Sequence, residues 1–120
     1  LLSKAAVGSK VPGVKVPGEL LTWRGSKSTS KRLDRLCGDE NIIIFYTEGC
    51  NVCDAEKAAA RKLVAESSLY RVLMVNVDRI VASDPALANR LFDSLDLSSL
   101  PFIIETDRNG KIVRRYMTLQ

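Results

Sequence analysis

Two cysteines separated by two residues, Cys50 and Cys53 in "TEGCNVC", are the residues of this chain best suited to chemistry. A metal clip is a poor reading. Zinc sites take four ligands at paired spacings. The chain has three cysteines, no second C-x-x-C and no histidine. An odd cysteine count also argues against a small domain stapled by disulfides. Two readings remain: a pair that cycles between dithiol and disulfide, or two inert cysteines that only pack.

Their setting favours the first. The run "NIIIFY" precedes the pair, and "DAEKAAARKLV" follows it with helical character. Cys50 then sits where a strand gives way to a helix. The free N–H groups of a first helical turn stabilise negative charge, so a thiolate there becomes a nucleophile near neutral pH. Cys53, about one turn further in, is the sheltered partner. In thiol–disulfide exchange Cys50 would attack a substrate disulfide and Cys53 would release the mixed disulfide. On a helical wheel Val52, Ala55, Ala59 and Leu63 fall within about 80° and form the stripe expected to face a sheet. Glu56 falls inside that stripe, between Leu63 and the direction of Cys53. It is expected either to be buried, where its carboxylate can take the Cys53 proton, or to roll out to solvent.

The elements that would hold these residues can be read along the chain. Residues 1–18 carry two Val-Pro-Gly turns and read as an extended lead-in or linker, with the domain proper over 19–120. "ELLTWRG" reads as a short strand. Ser28 or Ser30 is placed to cap a short helix over "KRLDRLC", which Gly38 would stop. Residues 42–46, "IIIFY", have the unalternating apolar character of a strand buried on both faces. A helix over 50–67 and a strand over 71–78 follow. Asn76 and Asp78 are read as capping the turn there. "SDPALANRLFDSL" reads as a helix capped by Ser83 or Asp84, with Pro85 in its first turn. The last two runs, "PFIIETD" and "KIVRRYMTL", are joined by Arg108-Asn109-Gly110, a strong hairpin signal. Strand, helix, strand, helix and hairpin make an α/β chain with a mixed sheet. Since the sequence ends right after the last strand, one sheet face is expected to need the helix over 28–37, or another domain, as its cover.

These motifs, in this order, resemble thioredoxin-fold proteins, and most closely the TlpA/ResA-like thiol–disulfide oxidoreductases of the bacterial envelope. "VGSKVPGVKVPG" resembles that branch's lead-in, "IIIFYTEGCNVCDAE" its strand, C-x-x-C and following Glu, and "SLPFIIETDRNGKIVRRY" its "G-x-P-x-x-x-x-x-D-x-x-G-K-I" region. The likeness runs from Val7 to Tyr116. It implies Cys50 as nucleophile, Cys53 as resolving cysteine and Glu56 as the nearby acid. It implies a cis bond before Pro101 and pairing of the Leu100 backbone with a substrate chain. It implies protein disulfides as substrates, no bound cofactor, a reductive direction fed by a membrane electron donor, and a place in the periplasm or cell envelope. The chain departs from the pattern at Gly49, where an aromatic residue is usual. It departs again at Asn51-Val52 between the cysteines, at Ile44 in place of a buried acid, and in lacking a final helix.

Two other readings belong to other classes. One is a binding or scaffold domain of a larger envelope protein. The other is a thiol peroxidase, since Thr47-x-x-Cys50 matches part of the peroxiredoxin motif, although Ile43 stands in its proline position. Cys37 reads as an inert, half-buried thiol, and Trp23 and Tyr46 as packing residues.

The 120 residues suit one compact domain, and 46% apolar with 27% charged residues is an ordinary globular composition. Apolar runs are too short to span a bilayer. The first residues carry no leader pattern, so the chain reads as a mature fragment or part of a longer protein. Net charge is +4, concentrated in the first third. No aromatic–basic pattern or motif for nucleic acid accompanies it.

Overall fold

A computed structural model describes residues 6–97 and 99–116. The first five residues of the lead-in and residues 117–119 of the expected last strand lie outside them. Six strands form one sheet: β1 (Lys15–Thr22), β2 (Gly25–Arg32), β3 (Glu40–Tyr46), β4 (Tyr70–Asn76), β5 (Phe102–Asp107) and β6 (Ile112–Tyr116). Their order is β2-β1-β4-β3-β5-β6, with β3 and β4 parallel and the other neighbours antiparallel. Helix α1 (Asn51–Glu66) links the parallel pair. Helices α2 (Val77–Ser83) and α3 (Pro85–Leu95) follow β4.

The apolar run of β3 explains why it is central. Ile42 and Ile44 point to one face, where they meet Ala60 and Val64 of α1, Val72 and Met74 of β4, and Ile103 of β5. Ile43 and Phe45 point to the other, where they meet Leu73, Val75, Ile80, Leu91 and Leu95. The expected two-sided burial is therefore present. The hairpin is also where the Asn-Gly step put it: Asp107 Oδ1 accepts from the backbone N–H of Asn109 (2.9 Å) and Lys111 (3.0 Å).

Several expectations fail for local reasons. No helix forms over "KRLDRLC". Lys31 and Arg32 finish β2, and only Leu33–Arg35 makes a single 3-10 turn. That turn buries Leu33, with Leu36 just beyond it. An i,i+3 apolar pair suits such a turn as well as it suits an α-helix. Cys37 leaves the turn with φ +64 and is exposed rather than half-buried. The strand expected over 71–78 stops at Asn76, whose side chain caps the short helix α2 by accepting from Arg79 N–H. The cap at Asp84 and Pro85 in the first turn of α3 are as read. The sheet face opposite α1 is covered by α2 and α3 together with the 3-10 turn. Within the lead-in, Val11 and Val16 are buried, and Gly8 and Val11 N–H donate to the carbonyls of Ile112 and Gly110.

Two consequences for stability follow. Gly110 has φ +82, and a Cβ there would lie 2.9 Å from the Asp34 carbonyl oxygen and 3.0 Å from Asp34 Cα. Gly110→Ala is expected to cost about 2 kcal/mol, from the left-handed backbone and that backbone clash together. A drop in the urea midpoint at unchanged m-value is the readout. Arg32 also donates a forked pair of bonds to Asp34, both 3.0 Å. That side-chain bonding holds the Asp34 carboxyl below its ordinary range, against the opposing effect of burial. A lowered folded-state value means the pair adds stability above the ordinary carboxylate range and loses it as acidification passes through the folded value. Asp34→Asn should therefore lower the stability near neutral pH by at most about 1 kcal/mol, with the gap closing in acid.

Candidate active site

β3 ends at Tyr46, and a four-residue turn carries the chain to α1. Gly49 takes φ +68 in that turn, a conformation side chains other than glycine rarely adopt. Glycine at the position usually aromatic thus has a backbone role here. Cys50 is the N-cap of α1: its Sγ accepts from Cys53 N–H at 3.1 Å, and its carbonyl accepts from Asp54 N–H at 3.0 Å. Cys50 and Cys53 are joined as a disulfide, with Cα atoms 5.1 Å apart. The two sulfurs differ sharply in access: Cys50 is half-buried at the surface and Cys53 is 0% exposed.

The inward face of α1 is Cys53, Glu56, Ala60 and Val64. The expected stripe is wrong: Val52 is 58% exposed and Ala55 is exposed. The true face is rotated by roughly 100° toward Cys53. Alanines weigh too little to orient a helix, and packing of Cys53 and Val64 decides the roll. The rotation carries Glu56 inward, to 2% exposed. Of the two expectations for that residue, burial holds.

The edge of the sheet carries further polar groups on β5 and β6. Tyr116 Oη on β6 donates to Glu105 Oε2 at 3.4 Å, and Arg114 Nε lies 3.8 Å from the same oxygen. The Tyr116 phenol is held well above its usual range, first by burial, then by the Glu105 carboxylate, with a weaker contribution from Glu56.

The bond between Leu100 and Pro101 is cis. Pro101 is buried and Leu100 half-buried. Phe102 of β5 pairs with Phe45 of β3, so the antiparallel register carries Pro101 and Leu100 to the end of β3 from which the cysteine turn departs. All five residues read from the sequence, Cys50, Cys53, Glu56, Leu100 and Pro101, therefore gather at one end of the sheet.

The sequence reading singled out Asn76 and Asp78 as turn caps and missed their link to Glu48, which braces this end. Asn76 Nδ2 donates to Glu48 Oε1 at 2.6 Å, and Glu48 N–H donates to Asp78 Oδ2 at 2.9 Å. The cysteine turn is thereby tied to the start of α2. Lys57 Nζ lies 4.5 Å from the centre of the Tyr46 ring. The one signal for this bracing was Asn76 itself, a capping residue directly after an apolar strand. Among the described residues no group of three or more His, Cys, Asp or Glu side chains is placed to hold a metal ion. No helix among them is long and apolar enough to cross a membrane.

No family model and no curated protein matches the sequence. Solved structures do match the fold. The thioredoxin domain of a thiol-disulfide oxidoreductase from Bacteroides vulgatus aligns over 94% of this chain and 89% of its own, with 19% identity and a TM-score of 0.62. Thioredoxin f2 of Chlamydomonas reinhardtii aligns over 73% and 74%, with 19% identity and a TM-score of 0.57. Mitochondrial thioredoxin 3 of Saccharomyces cerevisiae aligns over 71% and 70%, with 16% identity and a TM-score of 0.51. The chain has the thioredoxin fold, as the order of its motifs led one to expect.

Proposed function

We propose that this chain is a thiol–disulfide oxidoreductase that acts on disulfides of other proteins through Cys50 and Cys53. The observation that carries the proposal is the asymmetry of the pair: one sulfur at the surface on a helix N-cap, the other fully enclosed one turn away. The Bacteroides vulgatus neighbour, itself a thiol-disulfide oxidoreductase, supports the same reading.

In the reduced protein the Cys50 thiolate attacks one sulfur of a substrate disulfide. A mixed disulfide forms, and the other substrate sulfur leaves as a thiolate. Cys53 loses its proton to Glu56 and attacks Cys50 Sγ. The mixed bond breaks, the second substrate thiolate leaves, and Cys50–Cys53 closes. Two electrons pass to the substrate, and an external dithiol donor restores the pair. Leu100 and Pro101 border the surface where a substrate strand would lie, the Leu100 backbone being its pairing partner. The resemblance to the TlpA/ResA-like branch supports a periplasmic or envelope location and a membrane electron donor.

A redox titration tests this. Protein equilibrated in graded dithiothreitol buffers, with free thiols trapped by a mass tag, should show one reversible two-thiol transition that is lost in Cys50→Ser. A midpoint near about −270 mV or below marks a reductant, and one well above about −200 mV an oxidant or isomerase. If both cysteines stay free, or stay bridged, across the whole range, the proposal fails and a binding role takes its place.

A further inference from the structure

Far from the cysteines, the β1–β2 hairpin and the start of β4 line an open cavity of about 300 Å³. Its charged lining is Arg24, Lys27, Lys31 and Arg71, with Thr22 and Ser26 adding hydroxyls and no carboxylate facing in. Five cations elsewhere pair with acids, among them Arg32 with Asp34, Arg61 with Glu19 and Arg108 with Asp39. None of the four cavity cations takes part in an ion pair among the described residues.

Arg24, Ser26 and Lys27 are exposed, and Arg71 is the half-buried, anchored member of the set. Arg71 Nη1 donates to the Leu36 carbonyl at 2.9 Å. Its stem lies against Gly38, where a Cβ would come within 3.0 Å of Arg71 Cγ. Gly38 is itself fixed by exchanging hydrogen bonds with Asn41, which is 1% exposed. The Arg24 backbone N–H donates to Thr22 Oγ1 (3.2 Å), and its guanidinium lies 4.9 Å from the centre of the Trp23 ring. Trp23, expected to pack inside, is 57% exposed at the hairpin tip.

Four like charges around one small cavity repel one another until a counter-ion enters. One carboxylate would leave most of that charge uncompensated. Phosphate groups in series match it better: guanidinium forks take two oxygens each, lysines act as point charges, and hydroxyls donate at the rim. We infer that this cavity binds a small anion carrying several linked phosphates. Arg71 pairs with Asn41 near the start of β3, while the cysteine turn follows the Tyr46–Asn76 pair. Five residues of strand, about 16 Å, separate the two sites.

The test is titration with inorganic tripolyphosphate, read by calorimetry and by the fluorescence of Trp23, the chain's one tryptophan. Saturable one-to-one binding is expected. It should weaken by about tenfold or more in the Lys27→Glu, Lys31→Glu double variant. It should change little in a Lys62→Glu, Arg90→Glu double variant, which has the same change of charge on exposed positions of α1 and α3. Cys50→Ser should bind as the parent does, so the result does not depend on the redox proposal. Absence of saturation, or equal loss in both double variants, overturns the site as general attraction of a basic protein. In a second arm, vesicles of phosphatidylcholine with about one-third phosphatidylglycerol report lipid-borne phosphate. Vesicle binding that needs Lys27 and Lys31, without tripolyphosphate binding, overturns the small-anion assignment.

Discussion

Cys50→Ser is expected to remove disulfide reductase activity to background, measured as reduction of a protein disulfide such as that of insulin with excess dithiol donor. The reason is local. The N-cap position gives the Cys50 sulfur a backbone N–H donor from Cys53 and the positive end of α1, both of which favour a thiolate. An alcohol in the same place remains protonated at neutral pH, and its oxygen does not attack a disulfide sulfur. Cys53 is fully enclosed and cannot stand in. A stability control separates chemistry from folding. The disulfide closes a very short loop, so its loss should cost about 2 kcal/mol relative to the oxidised parent. The variant should unfold at the same urea concentration as the reduced parent. Cys53→Ser gives the complementary result: Cys50 still attacks, and the mixed disulfide accumulates as a covalent adduct visible by mass. Retained turnover in Cys50→Ser would dismiss the mechanism outright.

What could be read from the sequence follows from where side chains face. "IIIFY" is legible because both faces of β3 are buried, as is "VLMV" of β4 for the same reason. The Asn-Gly hairpin and the Asp84-Pro85 helix start are legible because each depends on a backbone geometry that few residues satisfy. β2 is the opposite case. Its sequence, "GSKSTSKR", contains no apolar residue, and most of it is exposed. It is a strand only because all eight of its residues pair with β1, and pairing leaves no mark on hydrophobic period. The roll of α1 was misread for a related reason: three of the four residues in the true inward face are Cys, Glu and Ala, which weigh little as hydrophobes. The polar brace from Asn76 and Asp78 to the cysteine turn joins residues some thirty positions apart, and only the parallel register of β3 with β4 brings them together.

That roll of α1 gives Glu56 its expected effect. Glu56→Gln should slow the resolving step by about 100-fold and leave the first attack by Cys50 nearly unchanged. Glutamine keeps the shape and the hydrogen-bonding reach of the buried side chain, so the packing of α1 on the sheet survives. It cannot take a proton. Cys53, fully enclosed, must lose its proton before it attacks Cys50 Sγ. With the carboxylate present, that proton has an acceptor on the same helix face, one turn along. In the variant, deprotonation has to wait for solvent, and the rate should climb with pH toward the ordinary thiol range of about 8.5. Rapid mixing with a disulfide substrate, followed by acid quench and thiol alkylation, separates the two steps. The parent should show little mixed disulfide, and Glu56→Gln should accumulate it near neutral pH and clear it in alkali. A merely structural carboxyl would give a different pattern: lower stability, both steps slowed alike, and a resolving rate whose pH profile matches the parent's. The division between steps, rather than the loss of turnover, is what assigns the proton to Glu56.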